Sequence, residues 1–261
     1  FFMINININS ETDVLKSVVV GIANDSGNIV YENNPKISKH LKLGNYPTES
    51  SLINQVDNFA KLIENEGVEV LRPENVKDQD QIFTRDIGFV IGDTFVLSKM
   101  KKSNREPEQK GLAKILENID NNRIIRPPQN ATIEGGDVII SGKYIFVGLT
   151  ERTNYYGFKF IKDSFPNYEV IPFQMYVTCQ AETNILHLDC AFQPVGKSCA
   201  IVYENGFVHK PTELYDIFGY ENIIFVNQEE MYNMFPNIFS LSPEKIISDK
   251  SFVRINEMLS S

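Results

Sequence analysis

The chain has 261 residues and a mass of 29.8 kDa, enough to bury a large core as one big domain or two small ones. With 42% hydrophobic and 23% charged residues it has the balance of an ordinary globular protein, and no apolar run approaches a membrane span. Its 25 Lys+Arg against 34 Asp+Glu, a net charge of −9, argue against nucleic acid or an anionic membrane as partner and favour a small cationic molecule.

Phe1-Phe2-Met3-Ile4-Asn5 lacks the basic region and long apolar core of a secretion signal. Cys179, Cys190 and Cys199 are odd in number and fit neither a disulfide framework nor metal-ligand spacing, so a cytoplasmic setting is the expectation. His40, His187 and His209 lack zinc-site spacing, and no phosphate-binding loop occurs, so no metal or cofactor is expected.

In chain order, Ser17–Ala23, the turn signal Asn24-Asp25-Ser26-Gly27 and Ile29-Val30-Tyr31 predict a hairpin. Leu52, Val56, Phe59 and Ile63 recur at helical spacing, with Ser50 or Ser51 as N-cap, and Val68-Glu69-Val70-Leu71 predicts a strand stopped by Pro73. The same order returns. Gly88–Ile91 and Phe95–Leu97 predict a hairpin, Leu112, Ile115 and Leu116 a helix, and Arg123–Ile125 a strand. Asp137–Ile140 with Tyr144–Val147, a helix near Tyr155–Phe165 and the strand Glu169–Ile171 make the next set. A fourth unit runs from Ile185 through Ala200–Tyr203 and a helix at Glu213–Phe218 to Ile223–Val226. A fifth takes Ile238–Leu241, Ile246-Ile247 and a helix at Phe252.

Hairpin starts at Gly88, Asp137, Leu188 and Asn237 are 49, 51 and 49 residues apart, which predicts a repeated strand–strand–helix–strand unit. Hairpins and helices also occur in any α+β protein, and identity between the units is weak. Four units end in a strand after their helix and the fifth ends on the helix. The expectation is a single domain over residues 1–261, its last strand and whatever follows missing.

Asp86, Glu134 and His187 each immediately precede a hairpin. Taken singly, Asp86 could pair with Arg85, Glu134 could cap the Gly135-Gly136 turn, and His187 could be a satisfied core histidine. Three junctions carrying titratable groups beside buried strands point instead to one acidic and imidazole pocket. Read as an extended strand, His187 and Asp189 share one face and Leu188 and Cys190 the other. Cys199 reads as core and Cys179 as loop, so no nucleophile stands out. Lys99–Gln109, with Lys101, Lys102 and Arg105, could be a lid or a solvated stretch.

Four ordered motifs carry a resemblance: Phe83-Thr84-Arg85-Asp86 before Ile87-Gly88-Phe89-Val90, Ile133-Glu134-Gly135-Gly136-Asp137, Thr150-Glu151-Arg152-Thr153-Asn154, and His187-Leu188-Asp189. Together they resemble the guanidino-group-modifying superfamily of arginine deiminases, dimethylarginine dimethylaminohydrolases and amidinotransferases. The resemblance implies an α/β fold, a five-bladed propeller of ββαβ units, and hydrolysis of the guanidinium of arginine or a methylated arginine through an amidino-cysteine. The alternatives are amidino transfer to an amine, or a non-catalytic binding module on the same fold. It further implies His187 as general acid/base, Glu134 as its paired carboxylate, Asp86 and Asp189 as carboxylates gripping the guanidinium, and Arg152, with Arg105 second, as ligands of the substrate α-carboxylate. The superfamily's nucleophilic cysteine follows the fifth unit, beyond Ser261. The implied partner is a small cationic guanidino compound, and self-association into a homo-oligomer stays open.

Overall fold

The computed structural model describes residues 3–27 and 34–260, and the chain divides into two compact units. The first comprises the described residues up to Ile8 together with Leu15–Gly135, and the second Asn9–Val14 with Gly136–Ser261. Among the described residues, no helix is long and apolar enough to cross a membrane.

In the first unit, β1 (Ser17–Val19) lies parallel to β2 (Glu69–Leu71), joined through helices α1 (Pro35–Lys42) and α2 (Glu49–Asn65). The predicted second strand of the opening hairpin, Ile29–Tyr31, lies outside the described residues. Helix α2 begins two or three residues earlier than expected, because Thr48, and not Ser50 or Ser51, is its N-cap and accepts from the Ser51 amide at 3.3 Å. The four-residue α3 (Thr84–Ile87) then leads into a sheet of order β3–β4–β5. There β3 (Gly88–Ile91) and β4 (Thr94–Leu97) are antiparallel, and β5 (Ile124–Ile125) is parallel to β4. Between β4 and β5 run a ten-residue 3-10 helix, Ser103–Leu112, and the short α4 (Ala113–Leu116). Ile6, Ile87, Phe95, Met100, Leu112, Ile115 and Ile119 form the core beneath them.

The second unit repeats that pattern twice. Strands β6 (Val138–Ser141) and β7 (Tyr144–Leu149) are antiparallel, α5 (Tyr155–Ser164) crosses over, and β8 (Glu169–Gln174) returns parallel to β7. Strands β9 (Phe192–Val195) and β10 (Cys199–Val202), α6 (Thr212–Phe218) and β11 (Ile223–Phe225) do the same. After α7 (Gln228–Tyr232), the hairpin β12 (Phe239–Ser242) and β13 (Lys245–Ile247) precedes α8 (Val253–Leu259). Gly142 takes φ 57° in the two-residue β6–β7 turn, a conformation that a Cβ would strain. Phe146 of β7 anchors the core, 5.1 Å edge-on to Phe192 and 6.0 Å from Phe173 in a stacked arrangement.

The repeat read from the sequence is therefore real in three complete ββαβ units, whose first strands start at Gly88, Val138 and Phe192. The described residues form five separate small sheets and no closed sheet is found, so the five-bladed ring is not confirmed. The fourth hairpin starts later than expected. His187 is extended, but Leu188–Cys190 forms a 3-10 turn and β9 begins only at Phe192. The strand alternation assigned to His187 through Cys190 does not hold, since all four side chains are buried in a turn.

Candidate active site

Each unit gathers its own set of predicted residues. In the first, Asp86 sits in α3, which is anchored by the Thr84 hydroxyl donating to the Val19 carbonyl at 3.0 Å. Arg105 comes from the 3-10 helix, where residues three apart share a face. That spacing brings Glu108 beside it. The guanidinium donates through Nε and Nη2 to the two Glu108 oxygens at 2.8 and 3.0 Å, and through Nη1 to Asp86 Oδ2 at 2.8 Å. Its Nη1 also lies 3.9 Å from Glu134 Oε2. Glu134 has no exposed surface and accepts the Lys101 amide at 3.0 Å.

The 3-10 segment is tied down by Gln109, whose Nε2 donates to the Ile87 carbonyl at 3.0 Å and the Ser98 carbonyl at 2.7 Å. Of the two readings of Lys99–Gln109, the solvated one holds for Lys101, which is exposed, while Arg105 and Glu108 are buried.

Burial alone would lower the Arg105 pKa, but Asp86 and Glu108 outweigh it and hold the guanidinium charged. Burial pushes the Glu108 carboxyl up to about 7 against the pull of Arg105, with Asp80 and Asp86 adding to the rise. Asp80 is raised by burial, with the Ile82 amide and Arg105 pulling it down. Three carboxyl groups, those of Asp86, Glu108 and Glu134, thus lie around one guanidinium.

In the second unit, Asp137 is fully buried at the start of β6. Its Oδ1 accepts the Leu188 amide at 3.0 Å and its Oδ2 accepts the Thr150 hydroxyl at 2.7 Å. The Thr150 oxygen in turn accepts the amides of Arg152 at 3.0 Å and Thr153 at 3.3 Å. Arg152 is 1% exposed, and Asn154 closes the segment by capping α5 at the Gly157 amide, 2.9 Å away. His187 is 3% exposed, and its carbonyl accepts the Cys190 amide at 3.1 Å. The Asp189 carbonyl accepts from Asn237 at 3.4 Å, and its carboxylate lies 3.7 Å from the Cys190 thiol.

Gly148 makes this arrangement possible. A Cβ there would come within 2.8 Å of Leu188 Cβ and 2.9 Å of Asp137 Oδ1, the oxygen that accepts the Leu188 amide. Gly148→Ala is expected to lower stability by about 1–3 kcal/mol, the range for overpacking a buried site. Urea denaturation checks this, and a midpoint equal to the parent's would show that the contact yields.

Burial pushes the Asp137 carboxyl up to about 7, against the opposing pull of His187, Thr153, Thr150 and the Leu188 amide. A carboxyl raised from 3.8 to about 7 binds its proton more tightly in the folded state by about 4 kcal/mol. Between those values the folded chain holds a proton that the unfolded chain has released, so this group's contribution to stability falls as pH rises from about 4 to about 7. Asp137→Asn is expected to flatten that fall by on the order of 2–4 kcal/mol in urea midpoints measured across the window. Parallel curves for the two proteins would contradict it.

The structure thus gathers Asp86, Arg105 and Glu134 in one unit and Arg152, His187 and Asp189 in the other. Glu108, Asp80, Thr150 and the reach of Asp137 were not read from the sequence. The Arg105-x-x-Glu108 spacing was an available signal for the first of these.

The chain matches the family described as N,N dimethylarginine dimethylhydrolase, eukaryotic, over residues 28–256. The uncharacterized protein YkgA of Bacillus subtilis (strain 168) is 30% identical over 204 residues, which cover 74% of this chain and 67% of that one. SxtG, an amidinotransferase of Microseira wollei in the saxitoxin biosynthetic pathway, has a similar structure. Its TM-score is 0.77 at 19% identity, covering 98% of this chain and 88% of that one. Dimethylarginine dimethylaminohydrolase from Pseudomonas aeruginosa, in complex with citrulline, gives a TM-score of 0.72 at 16% identity, covering 95% of this chain and 89% of that one. At these identities the structural likeness establishes a shared fold.

Proposed function

Because the chain belongs to the N,N-dimethylarginine dimethylhydrolase family of the guanidino-group-modifying superfamily, we propose that it breaks a C–N bond in the guanidinium of arginine or a methylated arginine. A cysteine thiolate attacks the central carbon and a C–S bond forms. The C–N bond breaks as His187 delivers a proton to the departing amine or ammonia. Water, giving its proton back to His187, then attacks the same carbon; the C–S bond breaks, the thiolate returns and a ureido product leaves. Asp86, Asp189 and Glu134 accept the guanidinium N–H groups and hold its plane, since a delocalised planar cation is fixed by paired acceptors. Arg152 supplies positive charge for the α-carboxylate; Arg105, the second candidate, has its guanidinium taken up by Glu108 and Asp86.

The observation that carries this reading is the buried cluster of Asp86, Glu108 and Glu134 around the single guanidinium of Arg105, three carboxyl groups to one cation. None of the three cysteines is assigned the nucleophile's role. Cys190 is buried beside Asp189, Cys199 lies in β10, and Cys179 is exposed in a loop.

The test is to incubate the full-length protein with L-arginine and with asymmetric dimethylarginine, and to measure citrulline with ammonia or dimethylamine. Citrulline from either is the expected result. No ureido product from either would overturn hydrolysis. The resemblance to SxtG keeps transfer as a second reading, and an amidino product formed only when glycine or another amine is added would establish it instead.

A further inference from the structure

We propose that Asp137 is a positioning residue that holds the acid/base segment at His187 and the anion-binding segment at Arg152 through the two oxygens of one carboxylate. The proposal rests on the roles given above to His187 and Arg152 and adds the part that couples them.

Two stretches, 51 and 13 residues from Asp137 in the chain, meet on this carboxylate. Oδ1 takes the amide of Leu188, the peptide that leaves His187, at 3.0 Å. Oδ2 takes the Thr150 hydroxyl at 2.7 Å. With Asp137 ionised, that hydroxyl hydrogen is spent on its carboxylate, and the Thr150 oxygen is left to accept the amides of Arg152 and Thr153. In that form the direction of the chain of bonds is fixed, since the carboxylate can only accept and both amides can only donate. Gly148 supplies the room for Leu188 and Asp137 to meet.

A carboxylate is an expensive choice for such a post. Fully buried, it loses its hydration, and an uncharged side chain could accept the same amide. What only the carboxylate adds, once ionised above about pH 7, is acceptor character on both oxygens and negative charge that acts on His187. That charge favours the imidazolium, the form that gives a proton to the leaving amine.

Asp137→Asn keeps the shape but puts an NH2 where one acceptor stood, so one arm of the chain must fail. Thr150→Val cuts only the arm to Arg152, and Thr150→Ser keeps the hydroxyl. The readouts are turnover of L-arginine against agmatine, which lacks the α-carboxylate, and the titration of His187 by NMR, tractable with three histidines in the chain. In Asp137→Asn the His187 midpoint is expected to fall by at least about half a pH unit, with KM for L-arginine rising about tenfold or more, a change of about 1.4 kcal/mol. Thr150→Val should raise KM for L-arginine while leaving that for agmatine and the His187 midpoint in place, and Thr150→Ser should restore the parent values.

An unchanged His187 midpoint in folded Asp137→Asn, or equal losses toward both substrates in Thr150→Val, would overturn the proposal. If Asp137→Asn does not fold, the two Thr150 variants decide. Absence of any guanidine turnover by the parent protein would instead defeat the proposed function. The NMR arm would still decide whether Asp137 holds His187.

Discussion

Replacing His187 by alanine is expected to lower kcat for L-arginine by about 10²–10⁴-fold, the usual contribution of a positioned acid/base. The reason lies in the leaving group. An amine expelled as its anion is prohibitively basic, so the C–N bond breaks only as a proton arrives, and His187 is the imidazole assigned to deliver it. Because His187 is 3% exposed, bulk water reaches the vacated position poorly and replaces it poorly. KM should move far less than kcat, since the proposed function gives the guanidinium to carboxylates and the α-carboxylate to arginine. Steady-state kinetics on the full-length protein, with thermal melting to confirm folding, provide the check. A variant that retains the parent's kcat would remove His187 from the chemistry.

Arg105→Leu should have the largest effect on stability, a loss of about 3–5 kcal/mol. The variant strands Asp86, 7% exposed, and Glu108, 2% exposed, without the cation that both address at 2.8 Å. It also withdraws positive charge from Glu134. Breaking one side of a buried pair leaves the whole desolvation penalty of the other side unmet, unlike an exposed pair worth under about 1 kcal/mol. For a chain of this size the melting temperature should drop by about 10 °C. The deficit should shrink as pH is lowered and the stranded carboxyls take up protons. Arg105→Leu with Glu108→Leu should recover part of it by removing both members of the closest pair. A deficit below about 1 kcal/mol at pH 7.5 would show that solvent screens the cluster.

A different kind of ion pair occurs at the end of the second unit. Arg254 donates through Nε and Nη2 to the two oxygens of Glu230, both at 2.6 Å, and through Nη2 to the Phe225 carbonyl at 3.0 Å. Glu230 also closes a capping box with Asn227 at the start of α7. The arginine hydrogen bonds draw the Glu230 carboxyl below its usual range. Half of the Arg254 side chain is exposed, so this pair fixes the approach of α8 to α7 without the desolvation that makes Arg105 costly.

Much of the fold was legible because its signals are local. Each hairpin shows alternating or continuous apolar strands around a short turn, and each following helix and strand is bounded by polar or proline residues, as at Gly88–Ile125 and Val138–Gln174. The 3-10 segment Ser103–Leu112 was not legible as structure. Its charged letters look like solvent-facing loop, and only the tertiary position of Asp86, nineteen residues upstream of Arg105, turns Arg105 and Glu108 inward. The 187–190 stretch was misread for the opposite reason. Its apolar letters suit a buried strand, yet a tight turn can be equally buried when Asp137, fifty-one residues from Leu188 in sequence, accepts its amide.

By itself, the amino-acid sequence determined the repeated strand–strand–helix–strand order and the kinds of residue placed ahead of the hairpins, because hydrophobic period, turn chemistry and helix caps act over a few residues. It also determined the acidic balance that suits a cationic substrate. Which carboxylates are buried, which of them an arginine neutralises, and how one aspartate joins the segments of His187 and Arg152 were decided only by the tertiary structure. Desolvation and charge pairing depend on distance in space, and no spacing along the chain encodes which distant segments will share a carboxylate.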